Sequence, residues 1–140
     1  MTPAMRLAAA CLFLVLSPAS QAQQAARPPD RVVLQVSDDD PKKWNQALNN
    51  ARNIQADLGG QVEIEIVAYG QGIGMLKAEA LVANRVLDAM AAGIQVVACE
   101  NTMASQKITR DDMIGGIGYV KAGVIEIMRK QQAGWAYIRP

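Results

Sequence analysis

Ile94-Gln95-Val96-Val97-Ala98-Cys99-Glu100-Asn101-Thr102-Met103 is the stretch that decides the fold. From Gly93 to Cys99 the chain is short, apolar and rich in valine, the pattern of a buried strand. The strand ends on a cysteine, and Asn101 or Thr102 can then cap a short helix through about Lys107. A strand that runs straight into a helix is half of a βαβ unit, and it leaves Cys99 at the C-terminal end of the strand.

Upstream, Gln61 to Tyr69 (QVEIEIVAY) predicts another strand. Val62, Ile64 and Ile66 alternate with Glu63 and Glu65, and a polar face of this kind suits the edge of a sheet or a subunit boundary. Gly70-Gln71-Gly72-Ile73-Gly74 follows as a turn, and Met75 to Ala92 predicts a helix that Gly93 ends. Leu76, Ala80, Ala83, Leu87 and Met90 form one apolar stripe on it, Val82 and Val86 a second, so it should bury against more than one neighbour. Earlier still, Arg31 to Ser37 (RVVLQVS) has the near-continuous apolarity of a strand covered on both faces. Asp38-Asp39-Asp40-Pro41 then opens a helix over 41–58, with Asp40 as N-cap and Pro41 in the first turn. The three carboxylates suit a helix N-terminus and lack the spaced ligands and central glycine of a calcium loop. Trp44, Ala47, Leu48, Ala51, Ile54 and Leu58 share one face of this helix, and Gly59-Gly60 stops it.

Downstream, Thr109-Arg110-Asp111-Asp112 has the spacing of a capping box for a short turn near Met113. Gly115-Gly116-Ile117-Gly118 is a bridge, Tyr119-Val120 a short strand, Gly123 to Ala133 a last helix and Trp135 to Ile138 a final strand. Strands alternating with helices predict an α/β three-layer sandwich on a mainly parallel, five-stranded sheet. Right-handed crossovers put helices on both faces, and ligands gather beyond the C-terminal strand ends. The Asp38–Asp40 turn, the glycine turn and Cys99 all fall at that end.

The N-terminus has a different character. A short basic start through Arg6, an apolar run Leu7–Leu16, Pro18 and the small-x-small Ser20-Gln21-Ala22 give residues 1–22 the layout of a secretory signal peptide. The apolar run is half the length of a bilayer span of roughly twenty residues. Residues 23–30 form a flexible leader and 31–140 the folded domain. The mature protein is expected in the periplasm or secreted, with no membrane segment. Cleavage removes Cys11, so Cys99 becomes the sole cysteine in an oxidising compartment, and an intrachain disulfide is impossible.

Composition narrows the chemistry. The chain has 140 residues, 51% of them hydrophobic, enough for one domain with a core that needs no metal or disulfide. A net charge of +1 and 4% aromatics disfavour a nucleic-acid partner, which needs a basic field or stacking rings. With no histidine, Ser-His and Cys-His pairs and the commonest zinc ligand are excluded. No metal and no cofactor is expected. The glycine turn is G-x-G-x-G, without the third spacing of a dinucleotide fingerprint or the Gly-Lys-Ser/Thr of a phosphate loop. Its plain role is close backbone approach, and Gly70, Gly72 and Gly74, with Asn101 and Thr102, make a candidate small-anion site through helix-start N–H groups.

Cys99 has two readings. A helix start behind it would favour the nucleophilic thiolate, and Glu100 beside it would oppose that; Lys77, Arg85 and Lys107 are the cations available. A free cysteine also commonly just fills core space.

Arg31–Ser37, Ala68-Tyr69-Gly70 with Gly72-Ile73-Gly74-Met75-Leu76, Val97-Ala98-Cys99-Glu100-Asn101-Thr102-Met103, Gly123-Val124 and Gly134-Trp135-Ala136-Tyr137-Ile138 together resemble the DsrE/DsrF-like family over nearly all of the mature chain. Ala-Cys-Glu-Asn-Thr-Met and Gly-Trp-Ala-Tyr are the most specific parts, and the chain is most similar to the secreted branch. The resemblance implies a flavodoxin-like sandwich, assembly into homotrimers or hexamers, and sulfur relay with a cysteine that carries a persulfide between a donor and an acceptor protein. By this resemblance Cys99 would be the persulfide site. The alternative is a non-enzymatic binding or assembly module with a structural Cys99.

Overall fold

A computed structural model describes residues 28–140; the expected signal peptide 1–22 and most of the expected leader lie outside the described residues. Five strands, β1 (Asp30–Val36), β2 (Val62–Ala68), β3 (Gln95–Cys99), β4 (Gly118–Val120) and β5 (Ala136–Ile138), form one sheet in the order β4-β3-β2-β1-β5. Every pairing is parallel, as the strand–helix alternation predicts. The helices are α1 (Pro41–Asp57), α2 (Ala83–Ala91), α3 (Glu100–Ser105) and α4 (Gly123–Gln132).

The strand order explains how the layers fill. From β1 to β4 the chain steps across the sheet in one direction, and right-handed crossovers then put α1, α2 and α3 on one face. Only the return from β4 to β5, past β1, puts a helix on the other face, and that helix is α4. The core divides accordingly. Leu34, Ile64, Ile66 and Val96 pack with Trp44, Leu48, Leu76, Val86 and Met103 in a large cluster. Val33, Val67 and Val97 pack with Ile127 and Trp135 in a small one under α4, with Tyr69 and Val120 at its border.

α1 begins as predicted: Asp40 Oδ1 accepts from the Lys42 N–H at 2.8 Å, Pro41 stands in the first turn, and Trp44 Nε1 donates to the Asp38 carbonyl at 2.7 Å. Asp38 faces Lys43 at 3.1 Å and Arg139 at 3.5 Å, and its carboxyl is held below the usual range chiefly by Lys43.

Three expectations need correction. The helix expected over 75–92 is shorter: Gly70–Leu76 is a 3-10 helix, Lys77 pairs with Met113 in an isolated bridge, and regular α-helix starts only at Ala83. Packing overrides periodicity here. Gly72 lies so close to the Val36 carbonyl that a Cβ would collide with it, and Ile73, Met75 and Leu76 are all buried in the large core cluster. The second correction is that β2 is interior, between β1 and β3, with Glu65 in register with Val33 and Gln95. Glu63 is exposed but Glu65 is buried, paired with Lys130 Nζ of α4 at 2.9 Å. Its alternation marks a face covered by a single helix, not a sheet edge. Third, neither Asn101 nor Thr102 caps α3; both lie inside it, and Cys99 is the N-cap residue, without a side-chain capping bond.

Candidate functional site

β3 delivers Cys99 to the C-terminal edge of the sheet, in register with Val120 of β4. The chain leaving β3 turns to the α3 face, and the chain leaving β4 turns through Lys121 and Ala122 to α4 on the opposite face. The two strands are neighbours, so the gap between their ends is a topological switch point, where open α/β sheets bind ligands. The Asn101 N–H closes the gap onto the Lys121 carbonyl at 3.1 Å.

Cys99 is a free cysteine, buried at 5% exposure, on the side of the sheet that α4 covers. Burial alone pushes its thiol pKa up. The Thr102 hydroxyl and the backbone N–H groups of Gly123 and Thr102, with the Asn101 N–H that also bonds Lys121, lie around the sulfur and outweigh that, so the net direction is below the ordinary thiol value. Thr102 is oriented by the end of β2. Its Oγ1 accepts from the Gly70 N–H at 2.9 Å, which leaves its own proton for the sulfur. When protonated, the thiol faces the Lys121 carbonyl at 3.9 Å. Neutral and ionised forms therefore both have partners, and no histidine takes part.

Gly123 is fitted to this place. An added Cβ would come within 3.0 Å of the Tyr69 Cβ, so only glycine lets α4 start this close to the end of β2. Burial raises the Tyr69 hydroxyl pKa. Beyond it, Tyr137 donates to Gln35 Oε1 at 2.5 Å and Gln35 Nε2 donates to Ser37 Oγ at 3.0 Å. A groove of about 290 Å³ along α4 is lined by Tyr69, Tyr137, Val124, Ile127 and Met128.

Of the sequence candidates, Cys99, Asn101, Thr102 and Gly70 come together. Gly72 packs on the Val36 backbone and Gly74 on the Trp44 ring. The Gly70 and Gly72 N–H groups are engaged by Thr102 and by the Tyr69 carbonyl. Among the cations, Arg85 binds Asn45 and Asn49 on α1, and Lys107 ends α3 with φ +57°. The cation beside the thiol's helix is instead Arg110, paired with Glu100 at 2.9 Å. Gly123, Lys121 and Arg110 escape a reading of the sequence because the sulfur's environment is made by chain segments eleven or more residues away. Gly123-Val124 opening a helix after a short strand is the signal that could have found them.

A five-stranded parallel sheet with helices on both faces, and a buried free cysteine at its switch point, defines a flavodoxin-like α/β sandwich. The model of the DsrE/DsrF-like family matches residues 30–140, and the chain belongs to that family. It is similar to the protein of unknown function MTH1491 from Methanobacterium thermoautotrophicum, with 37% identity and a TM-score of 0.76, over 79% of this chain and 99% of that one. The fold is shared with the conserved protein BT1422 from Bacteroides thetaiotaomicron, at 16% identity and TM-score 0.66 over 79% and 95% of the two chains. It is shared also with the ychN protein of E. coli, at 9% identity and TM-score 0.61 over 80% and 99%. No curated protein matches the chain.

Proposed function

We propose that the protein is a sulfur carrier that holds sulfane sulfur as a persulfide on Cys99, exported to the periplasm or beyond and working as a homo-oligomer. The observation that carries this reading is the buried free Cys99 at the switch point between the ends of β3 and β4, with the starts of α3 and α4 beside it. Such surroundings favour the thiolate relative to an ordinary cysteine without a base, and the thiolate is the nucleophile. In the transfer step the Cys99 thiolate attacks the terminal sulfur of a donor persulfide. A new S–S bond forms as the donor's S–S bond breaks, and the donor leaves as a thiolate that takes up a proton. Sulfur changes carrier with no net oxidation, so no oxidant is required. The resulting persulfide anion is held by the N–H groups around Cys99 until an acceptor thiolate removes its outer sulfur by the reverse exchange.

Incubation of the purified protein with a low-molecular-weight persulfide, followed by intact-mass measurement, tests this. One sulfur should add to wild type and none to Cys99→Ser. No adduct on wild type, under conditions that load an established carrier, overturns it.

A second reading, an assembly module with an inert cysteine, draws on the apolar surface of α4, where Val124 and Met128 are 53% and 45% exposed. Thiol-reagent kinetics separates the two, because an inert Cys99 reacts only after unfolding.

A further inference from the structure

Two rows of side chains meet where α1 and α2 lie side by side. On α1, Asn45, Asn49, Arg52 and Gln55 recur at steps of three or four residues, and on α2 and its C-cap so do Arg85, Asp88 and Ala92. Small residues at Ala89 and Ala92 leave the seam unfilled, and a cleft of about 90 Å³ remains. Its apolar lining includes the buried Leu48 and Ile94; its polar lining is Arg52, Gln55, Arg85 and Asp88. Bonds between the helices close both ends. At one end the Arg85 guanidinium donates to Oδ1 of Asn45 and to Oδ1 of Asn49, the latter at 2.6 Å. At the other, Gln55 Nε2 donates to the Ala92 carbonyl at 2.7 Å. α2 advances roughly 10 Å from Arg85 to Ala92, which is the length of a small molecule.

The charges in the cleft do not neutralise one another. Arg85 is held by two neutral amides, which fix its plane and leave its charge uncompensated. Among the described residues, Arg52 and Asp88 form no ion pair and no side-chain hydrogen bond. A guanidinium already fixed in place takes a carboxylate through parallel N–H bonds and loses little freedom in doing so. An apolar pocket with a few convergent groups of both signs suits a ligand that carries both signs. We propose that the α1–α2 cleft binds a small zwitterion of the α-amino acid class. The carboxylate lies on Arg85 and Arg52, the ammonium on Asp88 and Gln55 Oε1, and a short aliphatic side chain on Leu48 and Ile94. The cleft is on the sheet face opposite α4, so the site is separate from the groove along that helix and involves no thiol chemistry.

The experiment is a titration of the full, nitrogen-15-labelled protein with L-alanine, followed by two-dimensional amide NMR, beside propionate and ethylamine as the two halves of the ligand. Saturable shifts should appear at Ala89, Ala92 and the Gln55 side-chain amide. Each half should bind at least about tenfold more weakly, as loss of one charged contact implies. Arg52→Gln and Arg85→Gln should each weaken alanine about tenfold. Asp88→Asn should weaken alanine to a similar extent but leave propionate unchanged or bound more tightly, a difference that a merely structural role for Asp88 would not produce. Arg52 and Asp88 make no side-chain bond within the fold, so their variants should match wild type by circular dichroism, and they carry the test should Arg85→Gln loosen the two helices. The proposal is overturned if alanine at tens of millimolar gives no saturable shift, or if the shifts map away from the cleft. It is overturned equally if propionate binds as tightly as alanine, which makes the cleft a plain anion site. A cleft covered by a second copy of the chain would overturn it too: Arg52→Gln would then sediment closer to monomer than wild type, and alanine would shift nothing.

Discussion

At the scale of single residues, the thiol's acidity is a balance between burial, which raises its pKa, and the hydroxyl and N–H groups around the sulfur, which lower it. Because its folded pKa is lowered, ionised Cys99 adds stability that is present above the unfolded thiol pKa and lost as pH falls through the folded value. The donors differ in how replaceable they are. Backbone N–H groups survive mutation, but Thr102 supplies a side-chain proton, so Thr102→Val should shift the alkylation profile of Cys99 to the alkaline side. It should also leave the Gly70 N–H without its acceptor and cost about 1–2 kcal/mol of stability. Measured together by alkylation kinetics and urea unfolding, both changes are expected; a thiol profile unmoved in Thr102→Val would remove the hydroxyl from the site. Gly123→Ala tests the backbone contribution. Its Cβ meets Tyr69 at 3.0 Å, so α4 must shift by tenths of an ångström, and thiol reactivity at neutral pH should drop while stability falls by about 1 kcal/mol.

At the scale of elements, α4 is the only helix among the described residues on its face of the sheet, and a buried ion pair helps to hold it. Glu65 and Lys130 meet at 2.9 Å, Lys130 Nζ lies 4.0 Å from the Trp135 ring centroid, and Glu65 Oε1 has no hydrogen-bond partner. Burial raises the Glu65 pKa more than Lys130 lowers it. A carboxyl with a raised folded pKa binds its proton more tightly in the folded state. Relative to Glu65→Gln, wild-type stability should therefore rise as pH falls from above the raised value towards the ordinary carboxyl range. Urea midpoints of the two proteins across that window check the sign. Lys130→Ala at neutral pH should cost about 3 kcal/mol by stranding the carboxylate, while Glu65→Met with Lys130→Met should recover most of that loss. This pair also shows where sequence reading stops. Strand identities, the Asp40 cap, the Thr109–Asp112 box and the parallel sheet were all legible, because each depends on neighbours in sequence. Glu65 looked like an edge residue because alternation reports which side chains are polar, and its partner lies sixty-five positions away. The 3-10 helix at Gly70–Leu76 was hidden for a similar reason: its shape follows from contact with β1 and α1.

At the scale of the molecule, the chain's one reversal across the sheet has two consequences. It creates the gap between β3 and β4 in which Cys99 lies, and among the described residues it leaves one layer with a single ten-residue helix. One helix cannot cover five strands, and the apolar residues on its outer side, Val124, Ile125 and Met128, together with Tyr137 of β5, are exposed at 53, 38, 45 and 40%. Exposed apolar residues grouped in this way favour association, and a second copy of the chain is the occupant the homo-oligomer reading supplies. The patch begins at the helix start that faces the sulfur, so assembly and thiol access should be coupled. Met128→Asp places a charge near the middle of the patch without touching the N–H groups at Cys99. Sedimentation at micromolar concentration should show wild type as an oligomer and Met128→Asp shifted towards monomer, with far-ultraviolet circular dichroism unchanged. Alkylation of Cys99 should then become concentration-independent in the variant and slow down with increasing concentration in wild type. A wild-type protein that sediments as a monomer would refute the assembly, and equal alkylation behaviour in two proteins of different size would refute the coupling.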